Sequence, residues 1–173
     1  NLKVMLKANA MGLDGRHLLM DAGRVPAERL AEIVTEGSFD RLGDVLGAAA
    51  AEASEILSTT GDPQLSDFAL DRAYYREMLS AAEATGSKFL TDYVRVTIDA
   101  ANLRSVVRTL RMHKGGDFLE KVLFAGGTVS VGSIVDAAFS GDVTEPFAPT
   151  VLSAAAELGA AAAKGGSLTP FEK

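Results

Sequence analysis

The stretch IDAANLRSVVRTLR, residues 98–111, decides how the chain is read: it sets Asp99 and Asn102 inside a helical pattern and follows them with Arg104, Arg108 and Arg111. Aspartate and asparagine are poor helix formers because their short side chains compete for nearby backbone groups. Inside a long helix they are expected to hydrogen-bond a neighbouring element and fix how helices meet. The three arginines read either as a solvated face, with Arg111 favoured near a helix C-terminus, or as a line that faces inward or toward a partner.

Outward from this stretch the apolar residues recur at spacings of three and four. Alanine, leucine and glutamate are abundant and β-branched runs are short, so the chain is expected to be all-α. Helices are expected over 1–10, a short 16–21 closed by Gly23, and 26–35. Ser38 is expected to cap a helix that begins near Phe39 and runs on through 42–57. The clearest break lies over 59–63. Two long helices follow, 66–84 and 88–112, expected to pack antiparallel across a short turn at Gly86. On the second, Tyr93, Val96, Ala100, Leu103, Val107 and Leu110 form one apolar stripe and Val94, Ile98 and Ala101 another. Arg95, Asp99 and Asn102 share a polar edge roughly opposite the arginines.

Composition limits the function. The 173 residues, 47% apolar, suffice for a folded core. With 23 acids against 17 bases and a net charge of −6, nucleic acid is not the expected partner, because phosphate binding needs a clustered cationic surface. There is no cysteine, hence no disulfide or thiolate metal site. The alanine-rich tract 151–163 is too short to span a bilayer and is broken by Glu157.

The chain also resembles itself. Asn1-Leu2-Lys3 matches Asn102-Leu103-Arg104 at an offset of 101 residues, which sets Lys7 opposite Arg108. Further on, Gly23, Val25, Leu30 and Gly37 match Gly127, Val129, Ile134 and Gly141 at an offset of 104, a three-residue insertion. Such self-similarity signals repeated supersecondary units. It divides the chain into an incomplete first repeat (1–61), a nearly complete second (62–165) and the start of a third (166–173). The forty residues 62–101 that precede Asn102 have no counterpart ahead of Asn1, so we expect the first repeat to lack its upstream helix pair and the natural protein to be longer.

No catalytic constellation stands out. His17 and His113 have neither cysteine nor a compact carboxylate cluster to join them as metal ligands. The run GAAAAKGG from Gly159 has lysine before glycine, the reverse of a phosphate loop, and reads as a helix end. Asp67 and Asp71 have ordinary solvated-helix spacing. No catalytic, cofactor or metal residues are expected.

The stretches LDRAYYREML from Leu70, FLTDYVRVTIDAANLRSVVRTLR from Phe89 and LFAGGTVS from Leu123 resemble the C subunit of V-type and A-type ATPases, whose eukaryotic counterpart is subunit d. NLKVMLKA at the start resembles the end of that family's first repeat, and SLTPFEK at the end the approach to its third. The resemblance implies repeated antiparallel long-helix pairs with short helices, part of a pseudo-threefold funnel. It implies a non-catalytic central-stalk rotor subunit, cytoplasmic and peripheral to the membrane, with no span of its own. Its partners would be the central shaft of the ATP-hydrolysing head and the membrane proteolipid ring, coupling ATP hydrolysis or synthesis to proton or sodium transport. Carried onto this sequence, Lys3, Lys7, Arg104, Arg108 and Arg111 would line or border the socket for the shaft, while Asn1, Asp99 and Asn102 would be structural. The competing reading is a stand-alone helical adaptor that binds partner helices. Incomplete repeats would also leave apolar surface exposed and favour self-association.

Overall fold

The computed structural model describes residues 1–172, and among them the regular structure is entirely helical. The chain runs through α1 (Leu2–Ala10), α2 (Ala27–Glu36), α3 (Asp44–Thr60), α4 (Pro63–Ala84), α5 (Lys88–Arg111), α6 (Gly116–Val122), α7 (Val131–Ser140), α8 (Ser153–Ala163) and α9 (Thr169–Glu172). Short 3-10 turns occupy Arg16–Leu18, Phe39–Leu42 and Glu145–Phe147. The helices group into two compact units, Asn1–Glu77 and Met78–Lys173, the division falling inside α4.

In the first unit α1 packs on α2 and α3. Its core joins Met5 and Leu6 of α1, Ala31 and Val34 of α2, Ala49, Ala53 and Leu57 of α3, and Ala69, Leu70 and Ala73 of α4. So many alanines let the helix axes approach closely, while the larger side chains each contribute roughly 1.5–3 kcal/mol by leaving water. In the second unit α5 is the central element. It buries Ile98, Leu103, Val106 and Val107 and packs along α8, with α6 and α7 also against it. Gly159 permits the approach of α8, since a Cβ there would stand 2.8 Å from Val107 Cγ2.

Five expectations are corrected. Over 16–21 only the 3-10 turn Arg16–Leu18 forms, where a helix was expected. The helix expected from Phe39 onward is broken at Gly43, whose φ of 87° and ψ of 170° no helix accommodates. Ser38 bonds the Glu36 carboxylate rather than capping a helix. The break over 59–63 shrinks, because α3 continues to Thr60 and α4 starts at Pro63, where the Asp62 carboxylate accepts the Gln64 N–H at 2.8 Å. On α5, Tyr93 is exposed, and the deepest line runs Val94, Ile98, Asp99, Asn102, Val106 and Thr109. Asp99 and Asn102 therefore lie within the buried face, not on a flanking edge.

The order of elements from α1 through the first turns of α4 recurs from the end of α5 to α9: helix, short turn or helix, ten-residue helix, 3-10 turn, alanine-rich helix, new helix. The helix ends recur too. After α1, Gly12 N–H donates to Asn9 O at 3.1 Å and Leu13 N–H to Ala8 O at 2.8 Å. After α5, His113 N–H donates to Leu110 O at 3.0 Å and Lys114 N–H to Thr109 O at 3.1 Å. This pair of bonds requires a left-handed residue past the helix end. Gly12 adopts it freely at φ 67°, whereas His113 adopts it at φ 55° against the steric cost of its Cβ. His113→Gly should therefore stabilise the chain by up to about 1 kcal/mol in denaturant unfolding. A fall in the midpoint would mean that imidazole contacts outweigh the strain.

Candidate functional site

Asn102 is 0% exposed, and its carboxamide closes on one backbone residue. Nδ2 donates to Phe124 O at 2.8 Å, and Oδ1 accepts the Phe124 N–H at 2.8 Å. One turn earlier Asp99, 1% exposed, receives the backbone N–H of Thr128 at 2.9 Å, that of Val129 at 3.1 Å, and the Thr128 hydroxyl. The two side chains answer five polar groups on the segment leading into α7, as burial of polar atoms demands. Asn1 repeats the first of these contacts: Nδ2 donates to Met20 O at 2.5 Å and Oδ1 accepts the Met20 N–H at 3.0 Å. Met20 and Phe124 stand 104 residues apart, the offset that the glycine matches give.

The cations divide into held and free. Lys3 pairs with Asp71 at 2.6 Å and Lys7 with Asp67 at 2.8 Å, both between α1 and the first half of α4. Arg108 pairs with Glu172 of α9 at 2.8 Å. Arg111 donates to the carbonyls of Ala162 and Gly166, at 3.1 and 2.6 Å, capping the C-terminal end of α8. Arg104 differs: its Nε reaches only Ala100 O of its own helix, at 3.3 Å, and among the described residues it makes no ion pair. It projects from the exposed side of α5, one turn before Arg108.

The partner acids were missed in the sequence. Asp67 and Asp71 are spaced by four, as are Lys3 and Lys7, so two helices lying antiparallel bring both pairs into register. That matched spacing is the signal. Thr128 and Phe124 carried none, because they offer mainly backbone groups.

A cavity of about 550 Å³ lies in the second unit, lined among others by Leu110, His113, Asp142, Thr144, Ala160 and Lys164. Asp142 is held below the usual carboxylate range, first by the Thr144 hydroxyl and then by the Thr144 N–H, with Lys164 adding charge. Charges of both signs line this cavity. Among the described residues no group of three or more His, Cys, Asp or Glu is placed to hold a metal ion. Nor is any helix among them long and apolar enough to cross a membrane.

A family model described as ATP synthase (C/AC39) subunit matches residues 1–173. No curated protein matches the chain, and no solved structure does.

Two predictions follow from these contacts. Asn102→Ala strands a buried N–H and a buried carbonyl at Phe124, each costing about 1–3 kcal/mol, whereas Asn1→Ala exposes its partners to water and should cost under about 1 kcal/mol. Equal losses in chemical unfolding would refute the assignment. The depressed Asp142 pKa favours the native state above the ordinary carboxylate value of 3.8, and that stabilisation is lost as pH falls through the lower folded value. Thr144→Val should move the Asp142 carboxyl titration upward by NMR; an unmoved titration would assign the shift elsewhere.

Proposed function

The chain belongs to the ATP synthase (C/AC39) subunit family, and we propose that within a membrane-associated rotary ATPase it is a non-catalytic part of the central stalk. In this role it links the rotating shaft of the ATP-hydrolysing head to the proteolipid ring and passes torque between them, so that ATP hydrolysis or synthesis is coupled to proton or sodium transport. The match over residues 1–173 carries this reading. Torque transmission needs a stiff body with an interface at either end, not a reaction pocket, and an all-helical chain suits that demand.

The repeat organisation belongs to the same proposal. Residues 1–61 and 62–165 are two repeats of one helical design, and 166–173 opens a third. The asparagine clamps at Met20 and Phe124 and the matching helix ends after α1 and α5 support it. In each repeat the cation six residues past the asparagine, Lys7 or Arg108, pairs with an acid on the helix that opens the next repeat.

In the second unit the shaft contact centres on Arg104, with Arg108 and Arg111 at its border; Lys3 and Lys7 are the matching cations of the first unit. Lys3, Lys7 and Arg108 already pair with carboxylates of the same chain, which lowers what they can offer a partner, while Arg104 keeps its charge uncommitted. In the intact subunit, Arg104→Glu should weaken binding to isolated shaft subunits roughly three- to ten-fold at low salt, an effect that fades as salt rises. Exchanging partners by combining Lys7→Asp with Asp67→Lys keeps the pair neutral and should lower affinity less than Arg104→Glu does. Calorimetry in which Arg104→Glu binds like the parent would sink the shaft assignment.

A further inference from the structure

We propose that the cavity at the ends of α5, α7 and α8 binds a small aliphatic zwitterion, its ammonium taken by Asp142 and its carboxylate by Lys164. The site is built from the chemistry of the cavity wall; only its comparison with the first unit rests on the repeat reading above.

Three helices finish at this cavity. Leu110 stands in the last turn of α5, Ala138 in that of α7, and Ala160 and Ala163 in that of α8. A helix C-terminus carries partial negative charge on carbonyls that its own N–H groups do not reach. Here the Ala138 and Ala163 carbonyls accept no backbone N–H among the described residues. Asp142, one residue past the glycine that closes α7, adds a full negative charge. The Thr144 hydroxyl and N–H both go to its Oδ1 and hold it ionised, which leaves Oδ2 without a donor among the described residues. This side of the cavity suits an ammonium.

Lys164 supplies the opposite charge. It closes α8 and makes no ion pair among the described residues, and its ammonium acts on Asp142 through space without pairing with it. The wall therefore holds a cation and an anion apart, with the apolar side chains of Leu110, Ala138, Ala160 and Ala163 about them. A ligand with one charge of each sign on an aliphatic body answers all three surfaces. The volume of about 550 Å³ lies within the rough 300–1,000 Å³ range of small-molecule sites.

The first unit has bulkier and uncharged residues at the matching points. Val34 is answered by Ala138 at the offset of 104, and two residues past the closing glycine Phe39, packed on its core, is answered by Val143. The last turn of α3 brings Leu57 into that core, whereas the last turn of α8 is four alanines. What space remains there is divided into hollows of about 310 and 440 Å³ with no lining residue in common. Directly after the closing glycine Ser38 gives way to Asp142, and directly before the left-handed Gly61 and Gly165 Thr60 gives way to Lys164. His113 lines the same cavity in the left-handed conformation that Gly12 adopts freely. Smaller side chains, two added charges and a strained imidazole at one place are costs that packing alone does not call for.

The test titrates the chain with L-leucine, with isopentylamine, which lacks the carboxylate, and with 4-methylpentanoate, which lacks the ammonium. The methyl resonances of Ala138, Ala160 and Ala163 report binding by NMR. Leucine should bind at least about five-fold more tightly than either truncated probe, because each lost charge forfeits a charge-assisted contact. Asp142→Asn keeps an oxygen for Thr144 and should weaken leucine about five- to ten-fold while leaving 4-methylpentanoate unchanged. Lys164→Met should weaken leucine by a similar factor and leave isopentylamine unchanged. Methyl resonances that leucine does not move overturn the proposal. So do equal affinities for the three probes, which reduce the cavity to unspecific apolar uptake. If a charge variant fails to fold, the three probes on the parent chain decide alone. Arg104 takes no part in this readout, so the shaft assignment stands or falls separately.

Discussion

The structure depends on a primary amide closing on a single peptide residue. Asn102 presents a donor and an acceptor side by side and meets the C=O and N–H of Phe124 with both. Leucine could fill the space but would strand two buried backbone groups, and aspartate could accept but not donate. The chain returning from α6 therefore has one register against α5. Asp99, a turn away, secures the next residues, and α7 begins where Thr128 and Val129 are already held. The packing of Ile134 and its neighbours comes after this polar constraint and builds on it.

The same economy explains how a basic line can run along an acidic chain. Lys3, Lys7 and Arg108 each find a carboxylate, and Arg111 finds two carbonyls at a helix end. Pairs as exposed as these contribute little stability, about 0–1 kcal/mol each. Their importance lies in orientation, since a fixed lysine or arginine keeps its neighbours in register and presents a neutralised surface. Arg104 gains no carboxylate and Arg111 only neutral carbonyls, so among Arg104, Arg108 and Arg111 only Arg108 has its charge balanced by an acid.

Much of this was legible in the sequence. The helices showed through the 3.6-residue period, and the weak helix propensity of Asp99 and Asn102 marked them as groups needing partners. On α5 Val94 and Ile98 of one stripe and Leu103 and Val107 of the other are buried as expected, but Tyr93 is exposed and Asp99 and Asn102 join the buried face, because residues spaced by three and four fit two adjacent faces equally well. Only the burial of Asp99 and Asn102 selects between them, which exposes Tyr93. The break at Gly43 was hidden because a single glycine between Leu42 and Asp44 reads as a tolerated helical residue unless its dihedrals are known. Asp67 and Asp71 were passed over because spacing by four is ordinary on any solvated helix. Their meaning appears only beside the equal spacing of Lys3 and Lys7.

The two related segments differ in an instructive way. Their backbone contacts match: an asparagine clamp, a left-handed helix end, a ten-residue helix closed by Gly37 or Gly141. Their side chains at those points do not, since Gly12 is answered by His113, Lys7 by Arg108 and Met20 by Phe124. Backbone hydrogen bonds thus specify the path, and side chains are free to vary so long as they keep the path's polar groups satisfied. This separates order from cover. Met20 stays exposed although its own N–H and C=O are bound, so its exposure does not come from a loosened backbone.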